Sequence, residues 1–113
     1  MSHITTHVLD VSLGRPAANV AVTLEAQSST GQWAEVARGA TDADGRLREW
    51  GAAKALPAGI YRLTFDTRAY FAARQIASLY PNVVIVFEVR DAQEHYHIPL
   101  LLSPFGYSTY RGS

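Results

Sequence analysis

Asn19-Val-Ala-Val-Thr-Leu-Glu-Ala-Gln27 is the stretch whose reading decides the fold class. Val20, Val22, Leu24 and Ala26 fall on one face, and Ala21, Thr23, Glu25 and Gln27 on the other. That period of two is the signature of a strand with one buried face. Polar Ser28-Ser-Thr-Gly31 turns the chain, and Trp33 to Ala40 offers a second such run. Asp42-Ala-Asp-Gly-Arg46 follows, whose Asp-Gly pair predicts a hairpin because both residues tolerate positive φ. It is no calcium loop, since Gly45 comes too early and the twelfth position, Ala53, is not a glutamate.

Working outward, Ile4 to Val11 reads as a strand entering the turn Ser12-Leu-Gly-Arg-Pro16. Beyond a loop from Lys54 to Gly59, Ile60 to Phe65 alternates as a strand. Thr67 is placed to cap a short helix carrying Tyr70, Phe71, Arg74 and Gln75, which Pro81 stops by about Tyr80. Val83 to Val89 is apolar and β-branched enough to be a strand buried on much of both faces, and His95 to Leu102 and Phe105 to Arg111 flank Ser103-Pro104 as two more. Seven or eight short strands with one short helix predict an all-β antiparallel sandwich. Val83 to Val89 and Phe105 to Tyr110 look too apolar or aromatic to be bare sheet edges, so an oligomer is expected.

The 113 residues suit a single domain spanning 1–113, and 48% hydrophobic with 18% charged residues marks a globular chain. Ten basic residues balance ten acidic ones, which removes the long-range field expected of a nucleic-acid binder. No 18-residue apolar run could span a membrane. The absence of cysteine excludes disulfides and thiolate chemistry. The first residues lack the basic and apolar regions of a signal peptide and the last are not Ser-Lys-Leu, so the expected compartment is the cytoplasm.

The chemistry-bearing residues concentrate near the end of the chain, in His95-Tyr-His97 and Tyr110-Arg-Gly-Ser113. Even spacing puts His95 and His97 on one face of their strand, and His3 and His7 on one face of theirs. His3 and His95 read best as surface or packing residues. His7 and His97 each enter an apolar strand, where a polar ring needs a partner and burial would keep the imidazole neutral and basic at pH 7. Such pairs could also bind zinc, but with no cysteine and no placed carboxylate a metal-free site is preferred. Ser103, Ser108 or Ser113 could complete a Ser-His-Asp set on paper, without a nucleophile elbow to support it. Arg46 and Arg111 suit a flat anionic or imide-like ligand through paired N–H donors, although most arginines are solvated surface groups. Tyr107 and Tyr110 have opposite parity, so one should face the core, and Trp33 and Trp50 should pack.

Five motifs in register carry a resemblance over essentially the whole chain: Thr6-His-Val-Leu-Asp10, Gly14-Arg-Pro-Ala17, Asp44-Gly-Arg46, His95-Tyr-His-Ile-Pro-Leu-Leu-Leu-Ser-Pro104 and terminal Tyr110-Arg-Gly-Ser113. Together they resemble the 5-hydroxyisourate hydrolase family, the transthyretin-like enzymes of urate breakdown. The resemblance implies a sandwich of two four-stranded sheets with one short helix, assembled as a dimer of dimers through strands like Val83 to Val89 and Phe105 to Arg111. It implies cofactor-free hydrolysis of the cyclic amide of 5-hydroxyisourate, with His7, Arg46, His97 and Ser113 as catalytic residues. His7, Arg46, Tyr110, Arg111 and Gly112 would bind the substrate. On this reading the chain's last residues are ordered and buried near His7 and Arg46 across a subunit contact. The competing class is a transthyretin-like carrier that binds a small apolar ligand without turnover.

Overall fold

The computed structural model of the chain describes residues 3–50 and 56–113. In chain order these form β1 (Ile4–Asp10), β2 (Arg15–Pro16), β3 (Ala21–Gln27), β4 (Trp33–Ala40), β5 (Arg46–Leu47), β6 (Gly59–Phe65), α1 (Thr67–Ala72), β7 (Val83–Val89), β8 (Tyr96–Ser103) and β9 (Gly106–Thr109). The loop expected from Lys54 to Gly59 falls partly on residues outside those described. No helix among the described residues is long and apolar enough to cross a membrane.

The alternating strand β3 lies inside one sheet, ordered β4-β3-β6-β7, with every pair antiparallel. Val20, Val22 and Leu24 are almost wholly buried, as their parity requires. The facing sheet runs β2-β1-β8-β9, with β5 also paired to β1. β2 takes Leu9 and Asp10 while β5 takes Thr6 and His7, so two short pieces share one edge of β1. The sheet is therefore four strands wide, as expected, with one position filled in two parts. It departs from the antiparallel expectation in one pair: β1 and β8 run parallel, from Ile4 opposite Tyr96 to Asp10 opposite Leu102. Parallel neighbours need a long crossover, and here the whole second sheet and the helix provide it.

The core lies between the sheets. Ile4, Val8, Ile98, Leu100 and Leu102 from one meet Leu24, Leu63, Phe65 and Val83 from the other. Each such side chain gains roughly 1.5–3 kcal/mol on burial. Trp50 packs at the margin with its Nε1 donating to the Ile4 carbonyl at 2.8 Å, and Trp33 lies under the Arg62 guanidinium. Asp10 is fully buried at the end of β1 and accepts from Tyr70 Oη at 2.7 Å and from the Ser12 backbone N–H at 3.0 Å. This bond fastens the helix to the first sheet. Burial first, then the Asp10 carboxylate, pushes the Tyr70 hydroxyl up to about 12.

Four local expectations need correction. The helix is capped by Asp66, whose carboxylate accepts from Ala69 N; Thr67 is its first residue and is buried, and the helix ends at Ala72, well before Tyr80. The Asp-Gly turn forms, but its flanks belong to different sheets, because the free edge of β1 captures it: Val8 N donates to Gly45 O at 2.7 Å. β7 is buried on one face only, with Val84 and Val86 exposed. Neither Tyr107 nor Tyr110 is buried in the single chain; Tyr107 packs edge-on against Tyr80.

Gly45 is fixed by sterics as well as by its φ of +77°, since a Cβ there would lie 2.3 Å from the Val8 carbonyl oxygen. Gly45→Ala should therefore lower stability by at least about 2 kcal/mol in urea titration, and an unchanged midpoint would contradict this packing.

Candidate active site

Because Ile4, Thr6, Val8 and Asp10 point into the core, Thr5 and His7 must stand on the outer face of the first sheet. The register fills that face from both sides. His7 lies opposite Arg46 of β5, and Thr5 lies opposite His97 of β8. His95 follows by parity, its ring stacked near that of His97 at 6.3 Å between centroids. A cleft of about 420 Å³ opens here, lined by Thr5, Arg46, Arg48, His95, His97 and Ser113.

Several fixed contacts hold these groups. Thr5 Oγ1 lies 2.9 Å from His95 Nε2 and 2.8 Å from His97 Nδ1. His7 Nε2 donates to the Asp44 carbonyl at 2.9 Å, since a carbonyl can only accept. The Asp42 carboxylate accepts from the backbone N–H of Arg46 at 3.0 Å and of Asp44 at 2.8 Å, which shapes the turn presenting Arg46. Those bonds, the one from Arg46 foremost, hold the Asp42 carboxyl below the usual carboxylate range.

His97 is the group whose acidity the site alters. Burial, then repulsion from His95, His7 and Arg46, moves it below the ordinary histidine value. It is therefore a neutral imidazole at pH 7, able to take a proton. With Nδ1 engaged by Thr5, its Nε2 is the nitrogen left to the cleft.

The tail reaches the site within its own chain. Gly112 N donates to the His97 carbonyl at 2.8 Å and pairs with that strand as an isolated bridge. A Cβ at position 112 would stand 2.5 Å from His97 Cδ2, so glycine is required for this approach. Ser113 then enters the cleft beside Arg46 and His97, where it remains exposed. Within one chain, then, the tail reaches the cleft directly, and the expected burial across a subunit contact concerns the assembly.

Of the expected residues, the fold brings together Arg46, His97 and Ser113 in the cleft, with His7 on the adjoining strand and Gly112 against the His97 ring. Arg111 stands apart. Its guanidinium covers the Tyr96 ring at 4.4 Å and donates to Glu94 and to the His95 carbonyl, at a second cleft. Tyr110 is exposed and does not line the site in one chain. Within one chain neither side chain lines the cleft with His97. His3 precedes β1 and does not line the cleft. Sequence reasoning passed over Thr5, Arg48 and His95. Parity with His7 could have found Thr5, and parity with His97 pointed to His95, but nothing local marks Arg48.

Among the described residues, no group of three His, Cys, Asp or Glu side chains is gathered so as to hold a metal ion. The family model described as HIUase/Transthyretin family matches residues 4–112. A 5-hydroxyisourate hydrolase from Salmonella dublin is 42% identical over 110 residues, covering 97% of this chain and 80% of that one. The solved 5-hydroxyisourate hydrolase of Klebsiella pneumoniae superposes with a TM-score of 0.84 at 41% identity, over 100% of this chain and 94% of that one. Transthyretin from Sparus aurata superposes with a TM-score of 0.92 at 33% identity, over 99% of this chain and 97% of its own. The chain belongs to the HIUase/transthyretin family.

Proposed function

We propose that this chain is a 5-hydroxyisourate hydrolase acting in urate breakdown, opening the cyclic amide of its substrate to 2-oxo-4-hydroxy-4-carboxy-5-ureidoimidazoline. The observation that carries this reading is the cleft in which Arg46, His97 and Ser113 converge, with His97 kept neutral. Relatives named for this activity support it. The fold is shared with carriers, so the side chains decide between the classes. A charged, histidine-bearing cleft suits hydrolysis of a polar ring better than retention of an apolar ligand.

The His97 imidazole takes a proton from water at Nε2 as the water oxygen attacks the ring carbonyl. Arg46 holds the substrate and the oxyanion that develops, as a preorganised cation in a partly desolvated site. The ring C–N bond then breaks, and the departing nitrogen takes a proton. That proton is the one His97 took from the water, and His7, with its Nε2–H held by the Asp44 carbonyl, serves as the second histidine that orients the water. Ser113 donates to the bound ring, and Gly112 allows the tail to close against His97. Tyr110 and Arg111 would contribute to substrate binding only through a neighbouring copy. The reading is of a metal-free hydrolysis in which these side chains carry the proton transfer and the charge stabilisation.

The edge strands β7 and β9, with Val86 on β7 57% exposed and Phe105 just before β9 68% exposed, support assembly into a dimer of dimers. We propose the cytoplasm as its compartment. Sedimentation should give a species of four copies, and a stable monomer at micromolar concentration would contradict the assembly.

The direct assay generates hydroxyisourate with urate oxidase and follows its ultraviolet decay. This chain should accelerate the decay, and a rate no faster than the spontaneous one would sink the assignment. Saturable binding without turnover would instead make it a carrier. His97→Ala and Arg46→Ala should each cost at least about a hundredfold in kcat/KM, and a chelator should leave the rate unchanged. Since the folded His97 is shifted downward, its base form persists to lower pH, so the acid limb of kcat/KM should lie below about 6.5. An acid limb above 7 would assign the base elsewhere.

A further inference from the structure

We propose that Thr5 is a positioning residue of this site: its hydroxyl, held between His95 Nε2 and His97 Nδ1, sets the His97 tautomer whose bare Nε2 faces the cleft. The inference rests on His97 being the base, and it assigns the device that makes it one.

A threonine hydroxyl carries a single proton. Lying 2.9 Å from one imidazole nitrogen and 2.8 Å from another, it donates to one neutral ring and accepts from the other. Two arrangements satisfy this. In the first, His97 Nδ1–H donates to Thr5, and the Thr5 hydroxyl donates to His95 Nε2. In the second both bonds reverse, leaving His97 with a proton on Nε2 and no lone pair for a water molecule.

The surroundings select the first. Arg46, a permanent cation, lines the same cleft as His97, and a lone pair turned toward positive charge is favoured over an N–H. The remaining proton of His95 then sits on Nδ1 of an exposed side chain, where water can accept it. Thr5 itself is only 3% exposed, so its hydroxyl has little recourse to solvent. The backbone fixes the position: Thr5 and His97 are partners in the β1–β8 register, while the next pair is locked on the other face by Thr6 Oγ1 donating to the Ile98 carbonyl at 2.6 Å. With Gly112 against Cδ2 and His95 stacked beside it, the His97 ring is held on several sides.

Long-range proton–nitrogen correlation on nitrogen-15-labelled protein reads the tautomer directly, whether or not the protein turns over hydroxyisourate. Wild type and Thr5→Ser should show His97 protonated at Nδ1 and bare at Nε2. Thr5→Val keeps the side-chain shape without the hydroxyl; it should lose that tautomer and at least about tenfold in kcat, the loss falling on kcat more than on KM. His95→Ala, at an exposed position, removes the acceptor and should shift His97 toward Nε2–H without unfolding the protein. Protonated Nε2 in neutral wild type would overturn the proposal. So would a Thr5→Val variant that keeps the wild-type tautomer, whatever its rate. A wild-type protein with the stated tautomer and no turnover would instead overturn the hydrolase reading alone.

Discussion

The parallel pairing of β1 with β8 is the constraint on which the site depends. Its register sets Thr5 opposite His97 and Val8 opposite Leu100, so one set of hydrogen bonds builds both the core face and the face that carries the candidate site. A slip of one residue would exchange those faces completely, carrying His97 into the core and Ile98 to solvent. The register is accordingly protected from inside. Buried Thr6 donates to the Ile98 carbonyl, and the fully buried Asp10 anchors the far end of β1 to the helix through Tyr70.

The other edge of β1 supplies the cation. Had the Asp-Gly turn closed an ordinary hairpin, Arg46 would continue the β4 ladder in the opposite sheet. The unpaired N–H of Val8 instead takes the Gly45 carbonyl, and the chain crosses to the first sheet with Arg46 opposite His7. Only a glycine at position 45 allows that approach, and only a glycine at position 112 allows the tail to close on His97 from the other side. Two glycines distant in sequence thus hold the two flanks of one cleft.

Much of this was legible in the chain because alternation reports which face is buried. Val20, Val22 and Leu24, and the shared face of His95 and His97, follow from parity alone. Pairing partners do not. No local pattern says that β1 runs beside β8, so the Thr5 hydroxyl between two histidines could not be read, and Arg48 carried no mark. The last four residues divide between two places within one chain. Ser113 enters the cleft while the long Arg111 side chain lies on Tyr96 and Glu94, a split that alternation does not announce, because residues 111 and 113 share parity. The strand β7 was read as buried on much of both faces, and in the single chain its outer face is open.

Cores of this kind serve carriers and enzymes alike, and the difference lies in a few side chains on one sheet face. The most direct measurement of the account is a crystal structure with a flat, non-hydrolysable cyclic ureide bound. The account predicts the ring in the cleft between Arg46 and His97, with a carbonyl oxygen on the Arg46 guanidinium and His97 Nε2 facing the attacked carbon through one water. A ligand bound elsewhere, or seated with His97 turned away from it, would contradict the account.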